Sequence, residues 1–143
     1  MSYFVTGATG FIGRHLVEEL LRNREGDIHV LVRAGSQDRL DAIAAARWGS
    51  SDRIKPVTGD LTEPNLGVSD EWIAANKGSI DHFFHLAAVY DMTADEQSNE
   101  RMNVEGTRNA VGLANALGYA NEISNTVVDA IGDVSGHIRL HEA

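Results

Sequence analysis

The sequence contains no cysteine, which excludes a disulfide-stabilised scaffold, a zinc–thiolate site, an iron–sulfur cluster and a cysteine nucleophile. Lysine is scarce, since Lys55 and Lys77 are the only two among twelve basic residues. Twenty-one acidic residues give a formal net charge of −9. Because a surface this acidic is a poor match for nucleic acid or an anionic membrane, we expect neither as a partner.

Long apolar runs are lacking as well. The chain starts with MSYFVTGATG, which has no basic n-region, and the apolar run at residues 3–5 is too short for a signal peptide or a membrane span. We therefore expect a cytoplasmic protein. A length of 143 residues, 43% of them hydrophobic and 23% charged, fits one globular domain.

Strand and helix patterns alternate along the chain. Short apolar runs predict strands over residues 3–7, 28–33, 53–60, 80–88 and 122–128. Helical spacing predicts helices over residues 11–24, 36–48, 68–77 and 95–117. Ser36 is the expected N-cap of the second helix, and Pro56 favours an edge position for the third strand. The alternating order predicts an α/β fold, a doubly wound parallel (Rossmann) sheet whose ligand site lies beside the first strand.

A glycine-rich segment, TGATGFIG, lies between the first strand and the first helix. Gly7 permits a sharp turn, Gly10 lets the backbone approach a pyrophosphate, and Gly13 lets helix and strand pack closely. The helix N-terminus offers unpaired N–H groups to phosphates, and Thr6 and Thr9 can add hydroxyl donors. The alternative is a turn that binds nothing, against which the strand–loop–helix context argues. The candidate cofactor-binding residues here are Gly7, Thr9, Gly10, Phe11, Ile12 and Gly13.

The end of the second predicted strand indicates which dinucleotide fits. NAD-specific sites have an acidic residue there, about 20 residues beyond the glycines, whereas this chain has Arg33. A guanidinium at that position can stack on adenine and pair with a 2′-phosphate, and Ser36 and Arg39 can add contacts. The alternative is a solvated arginine at a strand end. NADP(H) is therefore favoured over NAD(H).

Four motifs together resemble the extended short-chain dehydrogenases/reductases. They are TGATGFIG, GDLT at residues 59–62, HLAA at residues 85–88 and NVEGTRN at residues 103–109, in the order and spacing of that family. The stretches LVRAGS and HLAAVYDM are most similar to the branch that includes fatty acyl-CoA and thioester reductases, with NAD-dependent epimerases and dehydratases as further relatives. The resemblance implies a cofactor-binding domain over residues 1–120. Residues 121–143 would form a degenerate fifth strand and a polar tail.

The resemblance also implies roles for single residues. Asp60 would hydrogen-bond the adenine amino group, with Leu61 beside it. Asn103 would match the helix asparagine that supports the catalytic hydrogen-bond network. Judged by residue type alone, Asp60 is a turn residue and Asn103 a polar group on a helix face. The residues expected to line the floor under the riboses are Leu86, Ala87 and Ala88.

One part of the family's pattern is missing. Family members transfer a hydride between the nicotinamide and a carbonyl or acyl-thioester carbon, with a tyrosine as proton donor. A lysine four residues later lowers the pKa of that tyrosine. None of Tyr3, Tyr90 and Tyr119 is followed by lysine at that spacing. The fifth strand offers Ser124 and Thr126 for the catalytic hydroxyl without assigning either, so we expect cofactor binding without turnover by that mechanism.

Three explanations of this pattern stay open. The chain is a reductase truncated after about the fifth strand, a frame-disturbed copy, or a non-enzymatic dinucleotide sensor or interaction module. A homodimer through residues 95–117 is a further expectation. No metal site is expected, because His82 and His85 lie three apart on a strand and therefore face opposite sides. His137 and His141 have helical spacing but no adjacent glutamate base.

Overall fold

The computed structural model describes residues 2–87, 95–118, 123–126 and 137–140, the last two ranges as backbone alone. The strands are β1 (Tyr3–Thr6), β2 (Ile28–Val32), β3 (Ile54–Thr58), β4 (His82–His85), β5 (Ile123–Thr126) and β6 (His137–Leu140). The helices are α1 (Phe11–Asn23), α2 (Gln37–Arg47), α3 (Asp70–Asn76) and α4 (Glu96–Ala116), and a short 3-10 segment covers Pro64–Gly67. The predicted elements therefore form, slightly shorter at most of their ends.

A four-stranded parallel sheet is the centre of the fold. Its strand order is β3-β2-β1-β4, and all three neighbouring pairs are parallel. This order confirms the predicted doubly wound α/β architecture. Pro56 lies on β3, which is an edge strand of this sheet, as its missing N–H led us to expect. Because the strands are parallel, the loops that follow them lie at one edge of the sheet.

The fifth strand differs from the prediction in its partner. β5 pairs antiparallel with β6 in a separate two-stranded sheet and does not extend the parallel one. β6 lies in the stretch that we expected to be a polar tail. Polar and apolar residues alternate in its sequence HIRL, and this period of two is typical of a strand even in a polar segment. The helical spacing of His137 and His141 therefore has no helix behind it, and His141 is outside the described residues.

Both faces of the sheet are covered. On one side, Tyr3 and Val5 of β1 pack with α1, α2 and the buried Trp48. On the other side, Phe4 packs against the layer of α3 and α4, with the Trp72 ring edge-on at a centroid distance of 5.6 Å. A strand buried on both faces needs apolar residues at every position, which explains the unbroken run at the start of the chain.

The buried face of α4 differs from the apolar face predicted from the sequence. That prediction included Val104, Thr107, Val111, Ala114 and Leu117. Ala114 and Leu117 are buried, but Val104 is 53% exposed, so the prediction is wrong for Val104. The helix packs instead through a face with several small residues, because small side chains let it approach the sheet closely. The buried residues of the helix are Asn99, Gly106, Ala110, Leu113 and Ala114.

Side chains that terminate the helices were predicted less well. Ser36 precedes α2, but its side chain makes no capping hydrogen bond, whereas Ser69 and Asp95 cap α3 and α4. The guanidinium of Arg53 donates to the carbonyl oxygens of Leu21, Arg24 and Gly26 at 3.2, 2.9 and 2.8 Å. These are carbonyls at and just beyond the end of α1, which a helix leaves without internal partners. In the described part of the chain, no helix combines the length and apolar character needed to cross a bilayer.

Candidate functional site

The candidate site residues lie at one edge of the sheet. Gly7 follows β1, Arg33 follows β2, Asp60 follows β3 and Leu86 follows β4. β1 lies between β2 and β4, so the strand order reverses beside it. In open α/β sheets, ligands bind at such a reversal, outside the carboxyl ends of the strands. The fold therefore brings together residues that are up to about 80 positions apart in the chain.

The glycine loop is packed too closely for side chains at two positions. Gly7 has φ 78°, and a Cβ atom there would lie 2.6 Å from the backbone nitrogen of Ala87. A Cβ atom on Gly13 would overlap the carbonyl oxygen of Gly7. The first turn of α1 is thus pressed against the end of β1, as the spacing of the glycines predicts.

The N-terminus of α1 faces outward at this edge. Gly10 is the N-cap residue and supplies no side-chain hydrogen bond, and the first turn contains no acidic residue. Phe11 and Ile12 are 67% and 38% exposed, and Thr9 is half-buried. Neither a capping side chain nor an acidic residue of the first turn therefore offsets the positive end of the helix dipole. An anion that approaches Gly10 meets backbone without a side chain in between.

Thr6 lies inside the protein and not on the surface of the loop. Its side chain is fully buried, and its Oγ1 accepts hydrogen bonds from the backbone N–H groups of Leu86 and Ala87, both at 3.2 Å. The same oxygen lies 2.7 Å from Nδ1 of His85. The expectation that Thr6 donates to a phosphate is therefore wrong, because all of its hydrogen-bonding capacity is used within the fold.

His85 is a neutral imidazole in this arrangement. Burial lowers its pKa to about 4, so at neutral pH the ring carries no charge. The Thr6 oxygen already accepts two backbone N–H groups, and its own hydrogen is therefore directed at Nδ1. This assigns the hydrogen of the ring to Nε2.

Arg33 and Asp60 follow neighbouring strands at this edge. The side chain of Arg33 is exposed, and its carbonyl oxygen accepts a hydrogen bond from the Ser36 backbone N–H at 3.0 Å. Ser36 is half-buried before α2, and Arg39 is exposed on that helix. The Arg33 guanidinium is close enough to favour the ionised form of Asp60. A cationic side chain is therefore displayed where an NAD-specific site would have an acid.

Asp60 begins a tight turn. Its Oδ1 accepts hydrogen bonds from the backbone N–H and the hydroxyl of Thr62, at 2.9 and 2.7 Å. The pKa of Asp60 is held below its ordinary value mainly by that N–H, then by the hydroxyl, with a smaller contribution from the charge of Arg33. No hydrogen bond to Oδ2 occurs within the described residues. Asp60 is thus the turn residue that its type suggests, with one carboxylate oxygen left for a ligand.

The other candidates occupy the walls of this edge. Leu61 is half-buried against the layer that contains α4, and Leu86 is half-buried against the layer that contains α1. Asn103 is half-buried on α4. Ala87 lies directly under Gly7. Ala88, Tyr90 and Tyr119 are outside the described residues, and only the backbone of Ser124 and Thr126 in β5 is described.

Two residues near the site were not singled out by the sequence. His85 was treated only as a metal candidate, and Asn109 was quoted within NVEGTRN without a role. The Asn109 amide donates to the carbonyl oxygen of Leu61 at 2.8 Å. On β4, His82 is exposed and His85 buried, as strand alternation predicts. The described residues include no cluster of three or more histidine or acidic side chains able to hold a metal ion.

Comparison with known proteins identifies the family. A profile of the family described as "Male sterility protein", a family of NAD(P)-binding domains, matches residues 5–134. The chain belongs to this family. This confirms the resemblance to extended short-chain dehydrogenases/reductases and to the branch with fatty acyl-CoA reductases.

The relatives are reductases and proteins that contain reductase domains. The chain is 34% identical over 120 residues to a linear gramicidin synthase of Brevibacillus parabrevis, a match that covers 77% of this chain and 2% of that protein. It is 32% identical over 125 residues to fatty acyl-CoA reductase 1 of Mus musculus, a match that covers 77% of this chain and 24% of the relative. The chain thus spans less than a quarter of the length of these curated relatives.

Solved structures agree. The terminal R domain from the myxalamid PKS-NRPS biosynthetic pathway superposes with a TM-score of 0.67 at 33% identity, covering 79% of this chain and 31% of that one. The reductase (R) domain of a nonribosomal peptide synthetase from Mycobacterium tuberculosis gives a TM-score of 0.69 at 28% identity, covering 90% and 33%. The chain therefore corresponds to about a third of a solved reductase domain.

Proposed function

We propose that this chain binds a nicotinamide dinucleotide at the edge of the sheet where β1 ends, with its pyrophosphate at the N-terminus of α1. The observation that carries the proposal is the contact of Gly13 with the Gly7 carbonyl oxygen, below a helix N-terminus whose cap residue, Gly10, has no side chain. Backbone N–H groups and the positive end of the helix dipole bind phosphate there without a competing side chain. The residues present therefore fit the group that the family binds.

NADP(H) is the proposed form of the dinucleotide. Arg33 is exposed directly after β2, where recognition of an unmodified ribose needs an acidic residue. A guanidinium pairs with a phosphate through parallel N–H···O bonds, which a carboxylate at the same position would repel. Ser36 and Arg39 are the proposed additional contacts to the 2′-phosphate.

The proposed reaction class is that of a reductase. A bound nicotinamide supplies the hydride for a carbonyl or acyl-thioester carbon, and Asn103 is the one catalytic-network residue that this chain offers. A dinucleotide sensor or interaction module is the second candidate, because no tyrosine here has the lysine partner that would lower its pKa. Turnover of an aldehyde or acyl-thioester substrate favours the reductase. Nucleotide-dependent partner binding without turnover favours the module.

The test is a titration of the purified chain with NADPH and, separately, with NADH. Energy transfer from Trp48 and Trp72 to the nicotinamide reports binding. We expect NADPH to bind at least about tenfold more tightly, since a charge-assisted pair with the 2′-phosphate is lost in NADH. Arg33→Asp should weaken NADPH and reverse the preference. Arg22→Asp is the matched control, because Arg22 makes an exposed ion pair with Glu19 near the other end of α1.

Each outcome has a defined meaning. No binding of either nucleotide by a folded chain would overturn the proposed site. Equal binding of both by the wild type, with no effect of Arg33→Asp, would overturn the NADP(H) preference and leave the dinucleotide site intact. A loss of affinity with Arg22→Asp equal to that with Arg33→Asp would reduce the effect to net charge.

Three further expectations stay predictions. They are the cytoplasmic location, the domain boundary near residue 120 and a homodimer formed through α4. Most apolar side chains of α4 already pack against the sheet, and Val104 is its one large hydrophobic residue that is strongly exposed in the described part of the chain. Sedimentation velocity that finds only monomer at high concentration would reject the homodimer.

A further inference from the structure

One side of α4 contacts the loop that carries Asp60. The Asn109 amide donates to the Leu61 carbonyl oxygen at 2.8 Å. One turn earlier, Gly106 leaves space for Leu61, since a Cβ atom on the glycine would lie 3.8 Å from the Leu61 Cβ. One turn later, a Cβ atom on Gly112 would lie 3.2 Å from Oδ1 of Asn65. Small residues at i and i+6 therefore let the loop approach, and the amide between them binds it.

The loop from Asp60 to Gly67 is closed on itself. The Asp60 N–H donates to the Leu66 carbonyl oxygen at 2.7 Å, and the Leu66 N–H donates to the Glu63 carbonyl oxygen at 3.0 Å. Asn65 and Leu66 have left-handed backbones, with φ 52° and 56°. Residues other than glycine keep this conformation only when their surroundings hold them there. Leu66 is fully buried in the layer beneath α4, so the loop moves as one unit with that layer.

Asn109 provides the described side-chain hydrogen bond between this unit and α4. We infer that Asn109 is a positioning residue of the proposed dinucleotide site. By holding the Leu61 carbonyl, it sets the direction of the adjacent Asp60 carboxylate and makes the site selective for a base with an exocyclic amino group. The inference rests on the proposed function and adds a residue to it that does not touch the nucleotide.

The chemistry of the carboxylate gives the selectivity. Thr62 occupies Oδ1 of Asp60 with two hydrogen bonds, which leaves Oδ2 to accept from a ligand. Hydrogen bonds from Thr62 lower the pKa of Asp60, so at neutral pH the group is an acceptor only. Adenine presents an amino donor at its C6 position, whereas hypoxanthine presents a carbonyl oxygen. A correctly directed carboxylate binds the first and repels the second.

The experiment compares NADPH with its hypoxanthine analogue, deamino-NADPH. We expect the wild type to prefer NADPH by about fivefold to tenfold, the size of one hydrogen bond to an exposed charged group. Asn109→Asp keeps the shape and removes the donor, and Asn109→Ala removes the side chain without adding charge. Both variants should reduce the preference to less than about twofold. Asn115→Asp makes the same chemical change at an exposed position of α4 and should retain the wild-type ratio.

The ratio separates positioning from general damage, because loss of stability or added negative charge weakens both nucleotides equally. An Asn109 variant that loses affinity for both with an unchanged ratio would overturn the inference. So would a wild-type chain that binds both nucleotides equally. A wild type that binds neither would overturn the proposed site itself. Urea unfolding of each variant establishes that the folded protein is being titrated, and Asn109→Ala serves should the charged variant fail to fold.

Discussion

Thr6 and His85 face each other in register between β1 and β4, with Oγ1 2.7 Å from Nδ1. They are 79 positions apart in the chain. The same hydroxyl accepts from the N–H groups of Leu86 and Ala87, which begin the loop under Gly7. One threonine side chain thus joins two central strands to the backbone that lies beneath the proposed nucleotide.

Thr6→Val should destabilise the protein although valine has nearly the same shape. It leaves the Ala87 N–H and the His85 ring without their described partner inside the protein, and an unsatisfied buried polar group costs about 1–3 kcal/mol. Thr6→Ser keeps the oxygen and should cost less than about 1 kcal/mol. Urea unfolding measures both. Equal losses for the two variants would show that the methyl group, and not the hydroxyl, is important.

Stability should fall on acidification because of His85. Its folded-state pKa is about 4, below the ordinary 6.5, so between these values the unfolded chain binds more protons than the folded one. Stability is therefore fully present above pH 6.5 and decreases towards pH 4. The loss at pH 5 is roughly 2 kcal/mol. Urea unfolding at pH 7 and pH 5 measures it.

His85→Asn removes the titrating group but keeps an acceptor near the position of Nδ1, so the difference between pH 7 and pH 5 should shrink. The pKa of His29 is also lowered by burial, and it leaves a residual slope of the same sign. His82→Asn is the matched control on the same strand, because His82 is exposed. An unchanged pH dependence in His85→Asn would contradict the assignment.

Gly10 and Gly13 should respond differently to alanine. At Gly13 the new Cβ overlaps the Gly7 carbonyl oxygen, so we expect a loss of about 3 kcal/mol or more. Gly10 has φ −74° and ψ 171°, and its nearest contact would be 3.3 Å, so Gly10→Ala should cost about 1 kcal/mol or less. It should nevertheless weaken NADPH about tenfold, since the methyl group stands at the proposed pyrophosphate. Unfolding and titration of the same samples check this, and unchanged affinity in Gly10→Ala would argue against the placement.

Arg53 should contribute more to stability than other surface arginines. Its three hydrogen bonds end on carbonyl oxygens at the negative end of the α1 dipole, so Arg53→Ala should cost about 2 kcal/mol. Arg47→Ala breaks one partly exposed ion pair with Glu18 and should cost about 0.5 kcal/mol. Similar denaturation midpoints for the two variants would contradict this difference.

The sheet could be predicted because its signals are local. A strand buried on both faces needs an unbroken apolar run, and a positive φ at Gly7 or contact at Gly13 needs glycine, so both are visible in the sequence. The face of α4 was not predictable in the same way. Val104 and Ala110 are both acceptable on a helix, and which one is buried depends on how closely the helix approaches the sheet.

Hydrogen bonds over long sequence separations account for what was missed at the site. A threonine before a glycine loop suits a phosphate contact or a buried bond equally well, and only the register of β1 with β4 places Thr6 against His85. Asn109 lies 48 positions from Leu61, and no spacing rule connects them. Both residues were inside motifs that the sequence presented, but their partners are defined by the fold.

The two tryptophans lie on opposite sides of the central sheet, Trp48 in the layer of α1 and α2 and Trp72 in the layer of α3 and α4. Each layer therefore has its own intrinsic fluorophore. In variants that retain only one of them, the emission follows one half of the core without any added label. Whether the two layers melt together or in succession is thus encoded in the colour of the protein's own light.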